Sequence, residues 1–337
     1  MTSLPLRALA PAKINLGLFL GPVREDGRHE VVTVMQSISL ADELTLRAAA
    51  DRPVANQAAA DTAEVDPAAA DRAAPDAVAA VDQVLCPGVP GPPEENLAAR
   101  ALAAFRSATG WDAPPLELSI VKHVPVAAGL GGGSGDAAAA LRLAATASGL
   151  DDRELLAGLA RTLGADVPAQ VQPGRWLARG AGEQLRALPD PVVPLGVLVL
   201  PIARPLSTAA VYAEADRMGL VRERAELEDR CRALADELAD GSPLPPVELL
   251  HNDLGDAARA LCPEIDAALL EARAAGADVA LVSGSGPTVL GLFAGSRGPA
   301  RARAATRALA ERTPAPLTAE PVTAGFARAV PLSVGNN

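Results

Sequence analysis

The sequence predicts an α/β protein, of the mixed α+β kind, that is built from two domains. The chain has 337 residues, which is enough for two separate hydrophobic cores. An apolar segment at 116–121 leads into a glycine-rich loop and then into an alanine-rich helical pattern. A second apolar segment, V-V-P-L-G-V-L-V-L-P at 192–201, is typical of a buried strand and precedes a further series of helices. We therefore divide the chain into residues 1–185 and 186–337.

Apolar runs predict the strands of the first domain, and alanine- and leucine-rich segments predict its helices. The second strand has a polar break at Ala41–Glu43, and the last helix ends at Gly164. The predicted strands are 12–20, 31–46 and 116–121, and the predicted helices are 96–108, 136 onward and 153–163.

The segment at about 47–93 is an insertion of low complexity, composed mainly of Ala, Asp and Pro. It has few large apolar residues outside 81–85, so it cannot bury much apolar surface. We expect a long surface insertion next to a short strand. An arm that binds a partner protein is the alternative.

The second domain begins with the apolar strand at 192–201 and continues with helical patterns. Two short apolar runs flank the turn sequence S-G-S-G-P-T at 283–288, so we expect a pair of strands there. The predicted helices are 207–218, 222–238 and 263–275, and the predicted paired strands are 279–283 and 288–293.

The segment V-P-V-A-A-G-L-G-G-G-S-G-D-A-A-A-A-L at 124–141 predicts a phosphate-binding loop. Five of the seven residues from Gly129 to Gly135 are glycine, and a helix is predicted to start at Asp136. Glycines allow backbone N–H groups to approach an anion, and a helix N-terminus adds partial positive charge. We expect Gly132 and Gly133 to be among the residues with positive φ.

The residues alone leave two alternatives for this loop. A flexible turn before a helix is the simpler of them. The other is a dinucleotide-binding loop, because Gly133-x-Gly135-x-x-Ala138 satisfies a relaxed form of that pattern, although any glycine run produces such a match by chance. A Walker motif is excluded, since Ser134, Gly135 and Asp136 stand where that motif requires a Lys followed by Ser or Thr.

Composition and charge restrict the possible functions. The formal net charge is −11, which disfavours a nucleic-acid partner. No segment has an apolar run that would span a bilayer, and residues 1–10 lack a signal-peptide core. The three cysteines show no C-x-x-C spacing, and the three histidines are scattered. We expect a cytoplasmic protein with reduced thiols, no membrane partner and no zinc site.

Four motifs in order along the chain resemble the GHMP kinases, the superfamily of galactokinase, homoserine kinase and mevalonate kinase. They are A-P-A-K-I-N-L at 10–16 with E-D-G-R-H-E-V at 25–31, the glycine-rich loop, L-G-A-D-V-P at 163–168, and S-G-S-G-P-T at 283–288. Within the superfamily they are similar to the branch that phosphorylates a diphosphocytidyl methylerythritol. The resemblance covers about residues 10–293.

This resemblance implies a fold and a reaction. The first domain would be similar to domain 2 of ribosomal protein S5 and bind the nucleotide, the second would be ferredoxin-like, and the substrate would lie between them. The enzyme would be a small-molecule kinase of isoprenoid precursor synthesis, with ATP as co-substrate and Mg²⁺ as the expected metal. We expect small-molecule substrates and a monomer or homodimer.

Lys13 and Asp166 are the catalytic residues that the resemblance implies. Asp166 stands in G-A-D-V-P as the candidate base, although an Asp in such a turn also caps backbone groups. Lys13 lies between apolar residues on a predicted strand, where lysine is depleted, and a protective charge on an edge strand is the alternative. Asn15 points to the same strand face as Lys13 and is a candidate substrate ligand or a partner of the backbone.

The resemblance also assigns the ATP phosphates to the glycine loop. Many relatives carry a second hydroxyl where Gly135 stands here, so a magnesium ion would use Ser134, Asp136 or water. Asp136 is also explained as an acid in the first turn of a helix. The candidate ATP-binding residues are Pro125, Gly129, Leu130, Gly131, Gly132, Gly133, Ser134 and Gly135.

Cytosine recognition is expected around D-G-R-H-E at 26–30. His29 would bind the base through its backbone, and Arg28 replaces the aromatic residue that is usual in this branch. A guanidinium stacks on a base as an aromatic ring does. Tyr212, the single Tyr of the chain, would stack on the other side or else pack within the second domain. Lys122 and Thr208 are further candidate substrate ligands, and a solvated role is the alternative for Lys122.

Two other functions are compatible with these residues. A GHMP kinase that acts on another small alcohol is one, and Arg28 is the residue that keeps it open. A nucleotide-binding protein without catalysis is the other, and the presence of both Lys13 and Asp166 argues against it.

Overall fold

The computed structural model describes residues 4–49, 82–150 and 152–332, and these form two sheets with helices packed on them. The mixed α/β class is confirmed. Most of the Ala/Asp/Pro insertion, at 50–81, lies outside the described residues, as does Asp151.

The first sheet is organised around two long antiparallel strands, β1 (Leu6–Val23) and β2 (His29–Ala48). The N-terminal part of β2 pairs with β5 (Arg175–Arg179), and its C-terminal part pairs with β4 (Leu116–Val121). The short strands at the edges are β3 (Gln83–Leu85) beside β4, β6 (Gln184–Ala187) beside β5, and β11 (Val330–Pro331) beside β1.

The polar break predicted in β2 is a β-bulge inside one continuous strand. Pro11 pairs with Ala41, but the next residue of β1, Ala12, pairs with Ile38. Two residues of β2 are therefore left without opposite partners, which bends a strand without ending it. Asp42 follows the bulge with a side chain that is fully buried.

Helices α1 (Leu97–Thr109) and α2 (Gly132–Ser148) cover one face of the first sheet. Helix α3 (Arg153–Leu163) packs on these helices, and α4 (Val167–Val171) follows it. Asn96 caps α1 by accepting the N–H of Ala98 at 2.9 Å. The four alanines at 137–140 are fully buried, and their small side chains let α2 lie close against β1 and α1. The helices predicted at 96–108 and 153–163 are confirmed.

The second domain has an antiparallel sheet in the order β10–β7–β9–β8. Since these are its fourth, first, third and second strands along the chain, the order is that of a ferredoxin-like fold. The helices predicted at 207–218, 222–238 and 263–275 and the paired strands around 283–288 are confirmed. Among the described residues, no helix is long and apolar enough to cross a membrane. The elements are β7 (Leu195–Leu200), α5 (Thr208–Met218), α6 (Arg224–Glu237), α7 (Leu254–Leu261), α8 (Glu264–Ala274), β8 (Val279–Val282), β9 (Val289–Ala294), α9 (Gly298–Ala308) and β10 (Leu317–Ala319).

A shared hydrophobic core joins the two sheets. It contains Ile14 and Phe19 from β1 together with Val197 and Val199 from β7, and Leu234 from α6 packs among them. The last described strand, β11, returns to the first sheet. The division at residue 185 falls within β6 and stays a prediction.

Candidate active site

A cavity of about 700 Å³ lies where the two domains meet, and residues from both line it. The first domain contributes Lys13 and Asn15 from β1, the glycine-rich loop, and Asp166. The second domain contributes Tyr212 from α5 and the turn between β8 and β9. The candidate residues of the sequence that line the cavity are Lys13, Asn15, Lys122, Pro125, Gly129, Leu130, Gly131, Gly132, Gly133, Ser134, Asp136, Asp166, Thr208 and Tyr212.

The helix after the loop starts four residues earlier than predicted, at Gly132 instead of Asp136. Gly129 and Gly131 have φ values of 73° and 67°, whereas Gly132 and Gly133 adopt the helical backbone, so the expectation of positive φ for those two is wrong. The loop therefore turns at Gly129 and Gly131, and the glycines that follow form the first turn of α2. Since the first N–H groups of a helix lack intrahelical partners, this turn presents donors toward the cavity.

Close packing explains why Gly129 and Gly131 have no side chains. A Cβ on Gly129 would lie 2.6 Å from the Ser283 carbonyl oxygen, and the Ser283 hydroxyl donates to the Gly129 carbonyl at 3.2 Å. A Cβ on Gly131 would lie 2.9 Å from Cγ of Lys13. The two glycine-rich segments thus lie against each other and against Lys13.

Gly135 lies beneath the cavity and not in its lining. Its N–H donates to the Gly131 carbonyl at 2.8 Å within α2, and a Cβ at this position would lie 3.0 Å from the Pro11 carbonyl oxygen. A side chain at position 135 would therefore point toward β1. Ser134 is exposed only in part and lines the cavity one residue earlier.

Lys13 and Asp166 are brought together, with 3.2 Å between Nζ and Oδ2. The Lys13 side chain is 9% exposed and the Asp166 side chain is 35% exposed, so the carboxylate is the partner that solvent and ligands reach. The ammonium also donates to Oδ1 of Asn15 at 3.0 Å. A buried ammonium is costly unless it is paired, and these two oxygens are its partners.

Asn15 belongs to a hydrogen-bond chain that fixes its orientation. Its amide nitrogen donates to the hydroxyl of Thr33 at 2.8 Å, and that hydroxyl donates to the Gly17 carbonyl at 2.6 Å. The amide oxygen is thereby directed at Lys13. The turn between β8 and β9 closes over this pair, since a Cβ on Gly284 would lie 3.2 Å from Oδ1 of Asn15.

Lys122 is held by two buried carboxylates. Its ammonium donates to Asp42 and, at 2.7 Å, to Oδ2 of Asp136. Asp42 also accepts the N–H groups of His123 and Val124, at 2.6 and 2.8 Å. Burial raises the pKa of Asp136 to about 7, and the negative charge of Asp42 acts in the same direction while Lys122 opposes it. One cation thus serves two carboxylates beside the loop that enters α2.

Tyr212 lines the cavity away from the glycine-rich loop, and the His29 ring lies behind it; neither His29 nor Arg28 belongs to the lining. The ring centroids of Tyr212 and His29 are 5.4 Å apart, and His29 Nδ1 lies 2.8 Å from the Gly21 carbonyl, to which it donates because a carbonyl only accepts. Burial, together with the charge of Asp166, raises the pKa of Tyr212 to about 12. Arg28 is 56% exposed at the side chain and pairs with Asp26 at 2.8 Å. The Thr208 hydroxyl lies 3.0 Å from that of Ser285.

Three polar residues beside the site were missed by the sequence analysis. Asp42 was treated as part of a break in β2, although a lone Asp inside an apolar strand is itself unusual. Thr33 has no signal that separates it from any other strand threonine. Asn252 is buried and donates to the carbonyls of Val282 and Gly284 at 2.9 and 2.7 Å, which anchors the turn over Lys13.

Comparison with known proteins agrees with this geometry. Residues 96–174 match the family described as GHMP kinases N terminal domain, and residues 234–315 match GHMP kinases C terminal. The 4-diphosphocytidyl-2-C-methyl-D-erythritol kinase of Anaeromyxobacter dehalogenans is 39% identical over 313 residues, covering 89% of this chain and 84% of that protein. The kinase of the same name from Salinispora tropica is 37% identical and covers 90% and 89%.

Solved structures show the same fold. A crystal structure of 4-(cytidine 5'-diphospho)-2C-methyl-D-erythritol kinase superposes with a TM-score of 0.68 and 31% identity, covering 93% of this chain and 98% of that one. The homoserine kinase of Cytophaga hutchinsonii superposes with a TM-score of 0.67 at 16% identity, covering 98% and 99%. The second likeness concerns the fold alone.

Proposed function

The chain belongs to the 4-diphosphocytidyl-2-C-methyl-D-erythritol kinase family of the GHMP kinases, and from that premise we propose that it transfers the γ-phosphoryl group of ATP to the 2-hydroxyl of 4-diphosphocytidyl-2-C-methyl-D-erythritol. The relatives named above carry this activity in their names. The observation that carries the proposal is the contact of 3.2 Å between Lys13 and Asp166 on the wall of a cavity that also holds the glycine-rich loop.

Asp166 acts as the base in the proposed reaction. Its carboxylate is the exposed member of the pair, so an acceptor hydroxyl is able to approach it. The hydroxyl proton passes to Asp166 while its oxygen attacks the γ-phosphorus and the bond to the β-phosphate oxygen of ADP breaks. Lys13 holds the carboxylate in place and favours alkoxide character in the acceptor, because its ammonium is fixed by Asn15 as well.

The ATP phosphates bind to the first turn of α2 and the loop before it. The backbone N–H groups of Gly132, Gly133 and Ser134 belong to a helix N-terminus that faces the cavity. Gly129 and Gly131 allow the chain to turn toward Lys13. We propose Pro125 and Leu130 as further lining residues and Gly135 as a packing residue of the same segment.

A magnesium ion fits this cavity best through Ser134. In kinase sites Mg²⁺ binds through substrate phosphates, waters and one or two protein oxygens. Ser134 and Asp136 both line the cavity, but Oδ2 of Asp136 holds Lys122 and its Oδ1 is buried without a partner in the described part of the chain. A hydrated ion cannot reach such a buried oxygen. When bound, the ion would neutralise part of the negative charge on the phosphates.

Cytidine recognition is proposed for the end of the cavity near Tyr212. Tyr212 offers one ring face. Both ring nitrogens of His29 are engaged, Nδ1 with the Gly21 carbonyl and Nε2 with Oδ2 of Asp216 at 3.3 Å, so we propose that His29 contributes backbone groups. Arg28 does not line the cavity, but its side chain is exposed, and we propose that its guanidinium leaves Asp26 and covers the base from the other side when the substrate binds. Thr208 and Lys122 are proposed contacts for the rest of the substrate.

Asp166→Asn tests the proposed mechanism. It should lower turnover roughly 10²- to 10⁴-fold, the usual contribution of a positioned base, and leave ADP affinity close to that of the wild type. The measurement is ADP release coupled to a spectrophotometric assay with the cytidyl substrate, and phosphorus NMR of the product should show a new phosphomonoester at the 2-hydroxyl.

The same assay separates the alternatives. Turnover with another small alcohol, but not with the cytidyl substrate, favours a different GHMP kinase. Because the exposed Arg28 keeps that alternative open, a panel of small alcohols should be assayed. No turnover with any alcohol, together with ATP binding, favours a nucleotide-binding protein. Asp166→Asn with wild-type turnover removes this residue from the mechanism.

A further inference from the structure

Asp166 owes its position to a helix of only five residues. It stands directly before α4, and its side chain caps none of the described backbone N–H groups of that helix. A helix this short is not stable by itself, because nucleation costs more than one turn returns. The contacts that fasten α4 to the sheet therefore fix the distance between Asp166 and Lys13, which lies on β1.

Gln170 is the residue of α4 whose side chain reaches β1. It is 1% exposed and follows the buried apolar residues Val167, Pro168 and Ala169. Its amide nitrogen donates to the Pro11 carbonyl at 3.1 Å, and its amide oxygen accepts a long hydrogen bond of 3.5 Å from the Ser37 hydroxyl. A buried amide costs free energy unless it is hydrogen-bonded, so these contacts define where α4 is able to lie.

Pro11 lies at the first of three interruptions in the ladder between β1 and β2. The register of β1 against β2 shifts between Pro11 and Ala12, and Lys13 is two residues further along. A Cβ on Gly131 would lie 2.9 Å from Cγ of Lys13 and 3.5 Å from the amide nitrogen of Gln170. The amide of Gln170 therefore lies close to the lysine stem as well as to the strand that carries it.

The backbone of Gln170 makes a third connection. Its carbonyl accepts from Nη1 of Arg142 at 2.5 Å, and Nη2 of Arg142 donates to the Leu9 carbonyl at 2.8 Å. Arg142 belongs to α2, whose first turn forms the proposed phosphate site. Three elements that carry the site, α2, α4 and β1, are thus joined around one glutamine.

We propose that Gln170 is a positioning residue for phosphoryl transfer: its amide sets the separation between the Asp166 carboxylate and the Lys13 ammonium. Gln170 does not line the cavity, so it acts through the pair and not on the substrate. The inference rests on the proposed function, because the rate that it controls is that of the kinase reaction.

Gln170→Met keeps a similar side-chain volume and removes both amide contacts. We expect kcat to fall roughly 10- to 100-fold, since small displacements of reacting groups have effects of this size. The KM values for ATP and the cytidyl substrate should stay within about threefold, because the contacts of the substrates are intact.

Gln36→Met is the matched control. Gln36 is also a fully buried glutamine, and its side chain points to the other face of β2 from that of Ser37. Its amide oxygen accepts from Nε of Arg175 at 2.8 Å, and its amide nitrogen donates to the Ser37 carbonyl at 3.0 Å, so this variant too removes two amide contacts. Both variants should be less stable than the wild type in thermal unfolding. Only Gln170→Met should lose kcat, and an equal loss of kcat in Gln36→Met would overturn the proposal.

Gln170→Glu tests the positioning role through the pH dependence of kcat, which a purely structural role would leave unchanged. A glutamic acid donates to the Pro11 carbonyl only while it is protonated. Because burial raises the pKa of a carboxyl group and this position is 1% exposed, the introduced acid should lose its proton between about pH 5.5 and about pH 8.5, and the ratio of the variant's kcat to that of the wild type should fall over that range. A ratio that is independent of pH overturns the proposal, and this test can still be made if Gln170→Met does not fold.

The crystal structure of Gln170→Met tests the geometry without any assay. A Lys13–Asp166 separation longer than the 3.2 Å of the wild type supports the proposal, and an unchanged separation overturns it. Failure of the wild type to phosphorylate the cytidyl substrate would instead contradict the proposed function, which keeps the two failures distinguishable.

Discussion

The two ends of the cavity are formed by different kinds of groups, mainly backbone at one end and side chains at the other. At the phosphate end, the parts are backbone groups of α2, glycines in close contact with neighbouring elements, and a buried lysine. At the end near Tyr212, the parts are side chains from both domains. Arg28 and Asp216, whose carboxylate lies 3.3 Å from Nε2 of His29, are about half exposed. The phosphate end therefore tolerates few substitutions, whereas the other end is able to exchange residues without a change of fold.

Gly131→Ala should have the largest effect among the tests of this comparison, with Gly133→Ala as its control. Gly131 has a φ of 67°, which costs alanine about 1–2 kcal/mol, and the new Cβ would collide with Lys13. We expect activity to fall roughly 100-fold because Lys13 is displaced. The nearest protein atom to a Cβ on Gly133 is 3.7 Å away and alanine keeps the backbone N–H proposed for the phosphates, so Gly133→Ala should lose much less activity than Gly131→Ala.

Steady-state kinetics and ADP calorimetry measure both glycine variants. Equal activity in the two would show that the phosphate end is less tightly packed than its glycine contacts indicate. A large loss of activity in Gly133→Ala alone would show that the backbone position important for activity lies in the first turn of α2.

Tyr212→Ala should raise the KM of the cytidyl substrate and leave that of ATP unchanged. Loss of one stacking face is expected to cost about 1–3 kcal/mol, by analogy with bases on aromatic side chains. Tyr212→Phe keeps the ring and should bind nearly as well as the wild type. Kinetics with each substrate varied separately provides the measurement, and an unchanged KM in Tyr212→Ala would show that cytosine does not stack there.

Arg28 variants sharpen the same point. Arg28→Ala should weaken binding of the cytidyl substrate, and Arg28→Tyr should preserve or improve it, because a ring restores the surface that the guanidinium covers. The side chain is exposed, so neither change should lower the melting temperature noticeably. Identical KM values for Arg28→Ala and the wild type would leave Arg28 without a part in recognition.

Asp136→Asn should change the pH dependence of stability at the phosphate end. The folded chain raises the pKa of Asp136 to about 7, so the folded state holds a proton that the unfolded chain releases near pH 4. This group therefore stabilises the fold most below about pH 4, and that contribution is lost as the pH rises through about 7. The free energy of unfolding of the variant, relative to the wild type, should increase over this window.

Denaturant unfolding at several pH values between about 4 and 8 gives the comparison for Asp136. Asp82→Asn is a suitable control, because Asp82 pairs with Arg106 at 2.7 Å far from Lys122. A difference between Asp136→Asn and wild type that does not vary with pH would show that the carboxylate stays ionised beside Lys122.

Deletion of residues 55–80 should have the smallest effect. The segment lies outside the described residues, and its Ala/Asp/Pro composition cannot bury much apolar surface. Shortening a loop changes its closure entropy only slowly, so kcat and melting temperature should stay close to the wild-type values. Loss of soluble, folded protein after deletion would show instead that the segment packs on the domain.

Local patterns were enough to predict most of the regular structure. The helix at 153–163 has the predicted bounds, and the paired strands around S-G-S-G-P-T are in place. The start of α2 was predicted four residues late, because glycines are poor helix formers and tertiary packing overrides that preference. Glycine is suited to position 135 because a Cβ there would lie 3.0 Å from the Pro11 carbonyl oxygen of β1.

The sequence by itself determined the motifs: a lysine in an apolar strand, a glycine-rich loop before a helix, an aspartate in a turn and a single tyrosine. Only the tertiary structure decided their distances. Lys13 and Asp166 meet at 3.2 Å because Gln170 and Arg142 fasten α4 and α2 to β1, and Lys122 is held by Asp42, a residue of another strand. Such contacts depend on long-range packing, which residue spacing along the chain does not specify.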